Sequence, residues 1–142
     1  MNIEPATLAD FHALRRLLET QSLPTEDLTE ESMRHFLVLR HAGEVNGAVG
    51  LELFGDVALL RSLVVDEKFR GRGQGTELTK AAETLANRLG VKALYLLTTS
   101  AAPFFSLLGY RRIDREDAPS QIKATTQFSA LCPSSAVVMV KS

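Results

Sequence analysis

The spacing of apolar residues along this chain switches between two periods, and each switch marks a new element. Residues 2–5 read as a short first strand. Thr7 then stands as a helix N-cap with Asp10 three residues on, and Phe11, Leu14, Leu17 and Leu18 form the stripe of an amphipathic helix. Pro24-Thr25-Glu26-Asp27 breaks that helix, and residues 27–33 are expected to form a second, shorter one. Residues 36–40 are apolar and β-prone, His41-Ala42-Gly43-Glu44 turns the chain, and residues 45–54 run back. Gly55-Asp56 has the Gly-X form of a two-residue hairpin turn, so residues 57–65 are the returning strand. Arg61 and Ser62 alone interrupt its apolar run, which places it centrally in a sheet.

The clearest helix follows a glycine-rich loop. Leu78, Ala81, Ala82, Leu85, Ala86 and Leu89 recur at spacings of three and four, and Gly90 sits where such a helix stops. Residues 93–98 make the next strand. Thr99 or Ser100 caps a helix over residues 101–108, with Pro103 tolerated in its first turn. Residues 109–113 begin another strand, residues 120–124 a short helix and residues 136–140 a last strand. The order is that of an α+β domain: a mixed, mostly antiparallel sheet of six to seven strands with helices on both faces. No repeat or linker divides it, so residues 1–142 are read as one domain.

Charge and composition remove several classes of function. A net charge of −1 argues against a protein devoted to nucleic acid, although Lys68, Arg70 and Arg72 make one local basic spot. Cys132 is the single cysteine, which excludes a disulfide-built secreted domain. Neither a leader pattern nor an apolar run near the ~20 residues of a membrane helix is present, so a cytoplasmic location and no membrane partner are the expectation. His12, His35 and His41 lack metal-ligand spacing with a second His or Cys, and no metal is expected.

The chemistry concentrates in Arg70-Gly71-Arg72-Gly73-Gln74-Gly75, between a strand and a helix. Glycines let a ligand approach the backbone, and the helix start offers free N–H groups and the positive end of the dipole. Two arginines add fixed charge suited to a diphosphate. A P-loop fails because Gly75 precedes Thr76-Glu77, and a dinucleotide fingerprint fails because its third glycine would fall on Thr76 or Leu78.

Leu63-Val64-Val65-Asp66 followed by Arg70-x-x-Gly73-x-Gly75 and an amphipathic helix resembles the acetyl-coenzyme A signature of the GCN5-related N-acetyltransferases. Phe104-Phe105-Ser106-Leu107-Leu108-Gly109-Tyr110 resembles that family's Phe-Tyr-x-x-Leu-Gly-Phe segment, and the element order matches over nearly the whole chain. The resemblance implies that the backbone of Leu63, Val64 and Val65 bonds the pantetheine arm like a missing strand. It implies that N–H groups of Arg70, Gly71, Arg72, Gly73, Gln74, Gly75 and Thr76 hold the diphosphate. Two strands, 57–65 and 93–98, would splay apart to admit the thioester. Phe105 is counted with the cofactor-binding residues, but it occupies the place of the family's tyrosine acid and has no proton to give. The thiolate then leaves unassisted, or with Ser106 or a water as donor.

Leu60-Arg61-Ser62-Leu63-Val64-Val65, Leu97-Thr98-Thr99 and Arg112-Ile113-Asp114 are similar to the acetyltransferase domain of N-acetylglutamate synthase. Together with Leu131-Cys132-Pro133-Ser134-Ser135-Ala136 they resemble still more the small acetyltransferases associated with bacterial arsenic resistance. The resemblance implies a small-molecule amine acceptor, an amino acid or an analogue close to glutamate in shape. Ser134 is implied as a substrate ligand, yet no basic residue stands between positions 131 and 136 to take a glutamate carboxylate. The rival readings are a protein or peptide N-acetyltransferase and a non-catalytic acyl-coenzyme A sensor; a homodimer is compatible with all of them.

A two-residue turn at 55–56 pairs Glu52 with Leu59 and Gly50 with Arg61, which sets Glu52 and Arg61 diagonally on one face. A charge on a central strand needs a partner or a ligand. Either Arg61 binds a substrate carboxylate while Glu52 takes the amine proton, or the two form a structural ion pair. Thr98 and Thr99 end a strand beside the expected thioester and either bond substrate or cap the next helix.

Overall fold

The computed structural model describes residues 2–131 and 135–142. The strands are β1 (Asn2–Pro5), β2 (Phe36–His41), β3 (Glu44–Phe54), β4 (Val57–Val65), β5 (Ala93–Thr98), β6 (Arg111–Ile113) and β7 (Val137–Lys141). They form a seven-stranded sheet in the order β1-β2-β3-β4-β5-β7-β6. Neighbours are antiparallel except β4 and β5, which are parallel. Such a pair needs a crossover, and α2 (Gln74–Arg88) supplies it. The helices α1 (Phe11–Thr20) and α4 (Ser120–Lys123) cover one face; α2 and α3 (Ala102–Leu107) cover the other.

Apolar period decides which residues each helix buries. Leu14, Leu17 and Leu18 of α1 pack on Phe36, Val38, Ala48 and Val64. Leu78, Ala82 and Ala86 of α2 pack on Leu37, Leu39, Val49, Leu51, Ala58 and Leu60. Phe36, Leu37, Val38 and Leu39 of β2 are all buried because both faces of the strand are covered. Each fully buried leucine contributes about 1.5–3 kcal/mol. Phe36 lies across Gly50, where an added Cβ would stand 2.5 Å from the ring, so the ring takes the room that any other residue at 50 would fill. A third cluster, Leu59, Ala118, Ile122 and Val138, occupies the α1 face further along the sheet.

The β3–β4 hairpin has the expected register, with Phe54 opposite Val57, Glu52 opposite Leu59 and Gly50 opposite Arg61. The register then slips. Ala48 faces Val64, so β4 carries one residue more than β3 between these pairs, and Ser62 within that stretch adopts φ 59°.

Some boundaries differ from those expected. No second helix covers residues 27–33; a short 3-10 helix, Glu31–His35, takes its place with Met33 as its buried residue. Thr29 and Ser32 fix where it starts, since each backbone N–H donates to the other's hydroxyl at 3.0 and 3.1 Å. Asp27 remains outside it, drawn to Arg61. Neither Thr99 nor Ser100 caps α3, whose N-cap position is Ala101; Thr98 Oγ1 accepts the Ala101 N–H at 2.9 Å and fixes the turn that leads into the helix. Strand β6 starts at Arg111, and β7 is displaced by one residue toward the C-terminus.

Candidate active site

The glycine loop forms an open cradle. Asp66 accepts the Lys68 N–H at 3.1 Å and opens the 3-10 turn Glu67–Phe69 that carries the chain away from β4. Gly71 and Gly73 then take φ +78° and +77°, left-handed values that disfavour any side chain. Open space lies where their Cβ atoms would stand. Helix α2 starts at Gln74, and the N–H groups of its first turn have no partner within the helix. They face a cavity of about 610 Å³ whose walls include Val64, Val65, Arg70, Gly73, Thr76 and Phe104. Arg70 donates to the Val65 carbonyl at 3.1 Å and to the Gln21 side chain, which holds its charge at the rim. Arg72 does not line this cavity; its guanidinium sits over the Phe69 ring, 5.7 Å from the centroid. The donor set fits a diphosphate: main-chain N–H groups, a helix start and one anchored guanidinium.

A notch opens beside the cradle. Strands β4 and β5 pair only from Val57 with Ala93 to Leu59 with Tyr95, and beyond that point they diverge as expected. A cavity of about 440 Å³ fills the gap, lined by β4 from Leu59 to Leu63, β5 from Leu96 to Thr98, and Phe105. Leu23, Leu63 and Ala101 border both cavities, so cradle and notch adjoin one another. Phe105 is buried at the notch wall, edge-on to Phe104 at 5.0 Å and Tyr110 at 5.6 Å. Phe104 is the α3 ring that reaches the cradle. Ser106 is exposed and borders neither cavity.

The charged residues at the notch form a tighter cluster than the pair expected from the hairpin. Arg61 has 2% of its side chain exposed and binds Asp27 in bidentate fashion, Nη1 to Oδ2 at 2.7 Å and Nη2 to Oδ1 at 2.8 Å. Its Nε donates to Ser62 Oγ at 3.0 Å. Glu52 shares the face but stands further off, with Oε2 3.8 Å from Arg61 Nη1. That oxygen is buried and has no hydrogen-bond partner among the described residues. Burial raises the carboxyl above its ordinary range; Arg61 opposes this and Asp27 adds to it. Gln127 donates to both Asp27 oxygens at 3.3 Å. Asp27 and Gln127 were not foreseen, since only a charge inside an apolar strand hinted at an unseen partner. Glu52 does not line the notch, and Thr98 does. Ser134, together with Cys132, lies outside the described residues. Among the described residues, no group of three or more His, Cys, Asp or Glu is arranged to hold a metal.

The sequence profile of the acetyltransferase (GNAT) family matches residues 7–110. An uncharacterized N-acetyltransferase of Chlorobaculum tepidum is 31% identical over 128 residues, 84% of this chain and 81% of that protein. The amino-acid acetyltransferase of Ralstonia nicotianae is 29% identical over 125 residues; the match spans 82% of this chain but 28% of that enzyme. Among solved structures, N-acetylglutamate synthase of Neisseria gonorrhoeae, complexed with coenzyme A and N-acetyl-glutamate, superposes with TM-score 0.85 at 20% identity. That match covers 99% of this chain and 34% of the synthase. A Mycobacterium tuberculosis protein solved with coenzyme A gives TM-score 0.83 at 19% identity, over 99% of this chain and 98% of that one. The expected fold is thus the observed one, and the chain belongs to the GNAT family of acetyl-coenzyme A-dependent acyltransferases.

Proposed function

We propose that this protein transfers the acetyl group of acetyl-coenzyme A to the amine of a small amino acid or amino-acid analogue. The adjoining cavities carry this reading: an anion cradle borders, along the stretch of β4 left unpaired by β5, a notch of about 440 Å³ for the thioester and a small acceptor. In this reading the cradle N–H groups hold the diphosphate, and the free edge of Leu63, Val64 and Val65 holds the pantetheine arm as an added strand. The acetyl carbonyl then lies in the notch beside Phe105. The acceptor enters past Ser22 and Pro24 and meets Thr98 and Arg61. Binding an acceptor carboxylate on Arg61 requires it to share or displace the Asp27 carboxylate. The notch lining holds no carboxylate or imidazole among the described residues, so the amine proton reaches Glu52 through water.

Similarity to amino-acid acetyltransferases and to a synthase bound to N-acetyl-glutamate supports a glutamate-like acceptor; the extension to arsenic and phosphorus analogues rests on the sequence resemblance alone. Thiol release measured over a panel of amino acids, these analogues and short peptides tests it. Turnover confined to amino acids or analogues is the expected result. Selective turnover of peptides would make the protein a peptide N-acetyltransferase. Tight coenzyme A binding without turnover of any amine would favour the sensor reading, to which the protonless Phe105 lends some weight.

A further inference from the structure

Ser62 and Ser22 are the two non-glycine residues of the described notch lining with left-handed backbone, and Ser62 is the one inside a strand. It is a non-glycine residue with φ 59°, inside the bulge of β4, three residues past the last pair of the β4–β5 ladder. Left-handed backbone costs an ordinary residue roughly 1–2 kcal/mol, so something else must hold the side chain there. Its Oγ accepts a hydrogen bond from Arg61 Nε, and Arg61 is itself clamped by Asp27. A hydroxyl that accepts from a fixed cation has its own hydrogen turned away from that cation, and its O–H is polarised. Among the described residues nothing accepts that hydrogen, and Ser62 lines the notch wall together with Phe105.

We infer that the Ser62 hydroxyl donates a hydrogen bond to the sulfur of coenzyme A as it leaves, in place of the absent tyrosine. The inference rests on the acetyl-transfer reading. The amine lone pair forms the N–C bond, the C–S bond breaks, and its electron pair remains on sulfur. The surplus ammonium proton passes through water to Glu52, and the thiolate is later protonated from solvent. Ser62 gives up no proton: an aliphatic hydroxyl is too weak an acid, and its hydrogen bond stabilises the developing negative charge instead.

The test uses Ser62→Ala and Ser62→Gly. Glycine removes the hydroxyl and also relieves the left-handed backbone, so a folding defect cannot explain a loss shared by both variants. Ionisation of bound coenzyme A is followed against pH by thiolate absorbance. The wild type should ionise the thiol below its free value, and both variants should shift that midpoint up by about one pH unit, a tenfold change in acidity. The kcat should fall by up to about tenfold in both, with coenzyme A affinity within about twofold of wild type. A midpoint unchanged in the variants overturns the inference, as does a loss confined to the acceptor KM. Should the wild type bind coenzyme A yet acetylate no amine, the acetyl-transfer reading fails on its own, while the thiol midpoint still decides what Ser62 contacts.

Discussion

At the scale of single residues, Arg61 sits between two carboxylates that do different things. Asp27 satisfies two of its N–H groups and is nearly buried with it, at 11% side-chain exposure. Removing one member of a buried pair leaves a charge without a partner, at a cost of about 3–5 kcal/mol. Asp27→Ala should therefore lower the urea midpoint substantially at unchanged m-value; a loss below about 1 kcal/mol would show the pair to be dispensable. Glu52 is the opposite case. Its folded carboxyl titrates above the unfolded one, so its contribution to stability is fully present below the unfolded pKa and is lost as pH rises through the folded pKa. Glu52→Gln should leave stability at neutral pH equal to wild type or higher. In the proposed reaction Glu52 would have to be ionised to act as the relayed base, and its raised pKa would set the acidic limb of the pH–rate profile. Glu52→Gln should erase that limb and lower kcat on the order of a hundredfold. Normal turnover across the pH range in this variant would place the base elsewhere.

Elements show how far local rules reach. The backbone conformation of the cradle is dictated within six residues, from 70 to 75, and so it was legible. Gly73→Val places a β-branched side chain at φ +77°, in the space left for the ligand. Coenzyme A affinity by calorimetry should fall at least about tenfold, since backbone approach and left-handed geometry are lost together. Unchanged affinity would mean that the diphosphate does not rest there. The hairpin register was equally legible, because a two-residue turn fixes every pair up to Gly50 and Arg61. The slip beyond it was not: apolar Leu63, Val64 and Val65 satisfy either register, and only the packing of Val64 under α1 selects one. Residues 27–33 misled because their composition suits a helix, while a salt bridge to a strand 34 residues away holds Asp27 outside it. The α3 N-cap, expected at Thr99 or Ser100, falls at Ala101, within the ordinary uncertainty of helix ends.

Across the whole molecule, the sheet consists of an antiparallel set β1–β4 and a second set β5, β7, β6, joined by three parallel residue pairs. Helix α2 packs chiefly on the first set and α3 near the second. A ligand lying along the diverging edges would contact both, so binding should stabilise the entire fold by mass action. At coenzyme A a hundredfold above its Kd the gain is about 2.7 kcal/mol, visible as a concentration-dependent rise in melting temperature. Adenosine diphosphate at the same concentration, which keeps the diphosphate but lacks the pantetheine arm, should give a far smaller rise. An equal rise from both would argue against the strand-like contact.

The same narrow seam makes the chain divisible. The turn at Gly90, which takes φ +86°, lies after α2 has finished packing and before β5 begins, so a break there severs no strand. The resulting pieces, residues 2–90 and the remainder, would each keep their antiparallel pairings and lose the parallel ladder, the bonds of Glu83 to Tyr110 and Lys141, the Asp27–Gln127 bonds and the packing of α2 on β5 and α3. Expressed separately and fused to the halves of a reporter, they should reassemble poorly alone and well when coenzyme A is added. A binding pocket formed where two half-sheets part company would then serve as a small-molecule-dependent switch for joining two proteins.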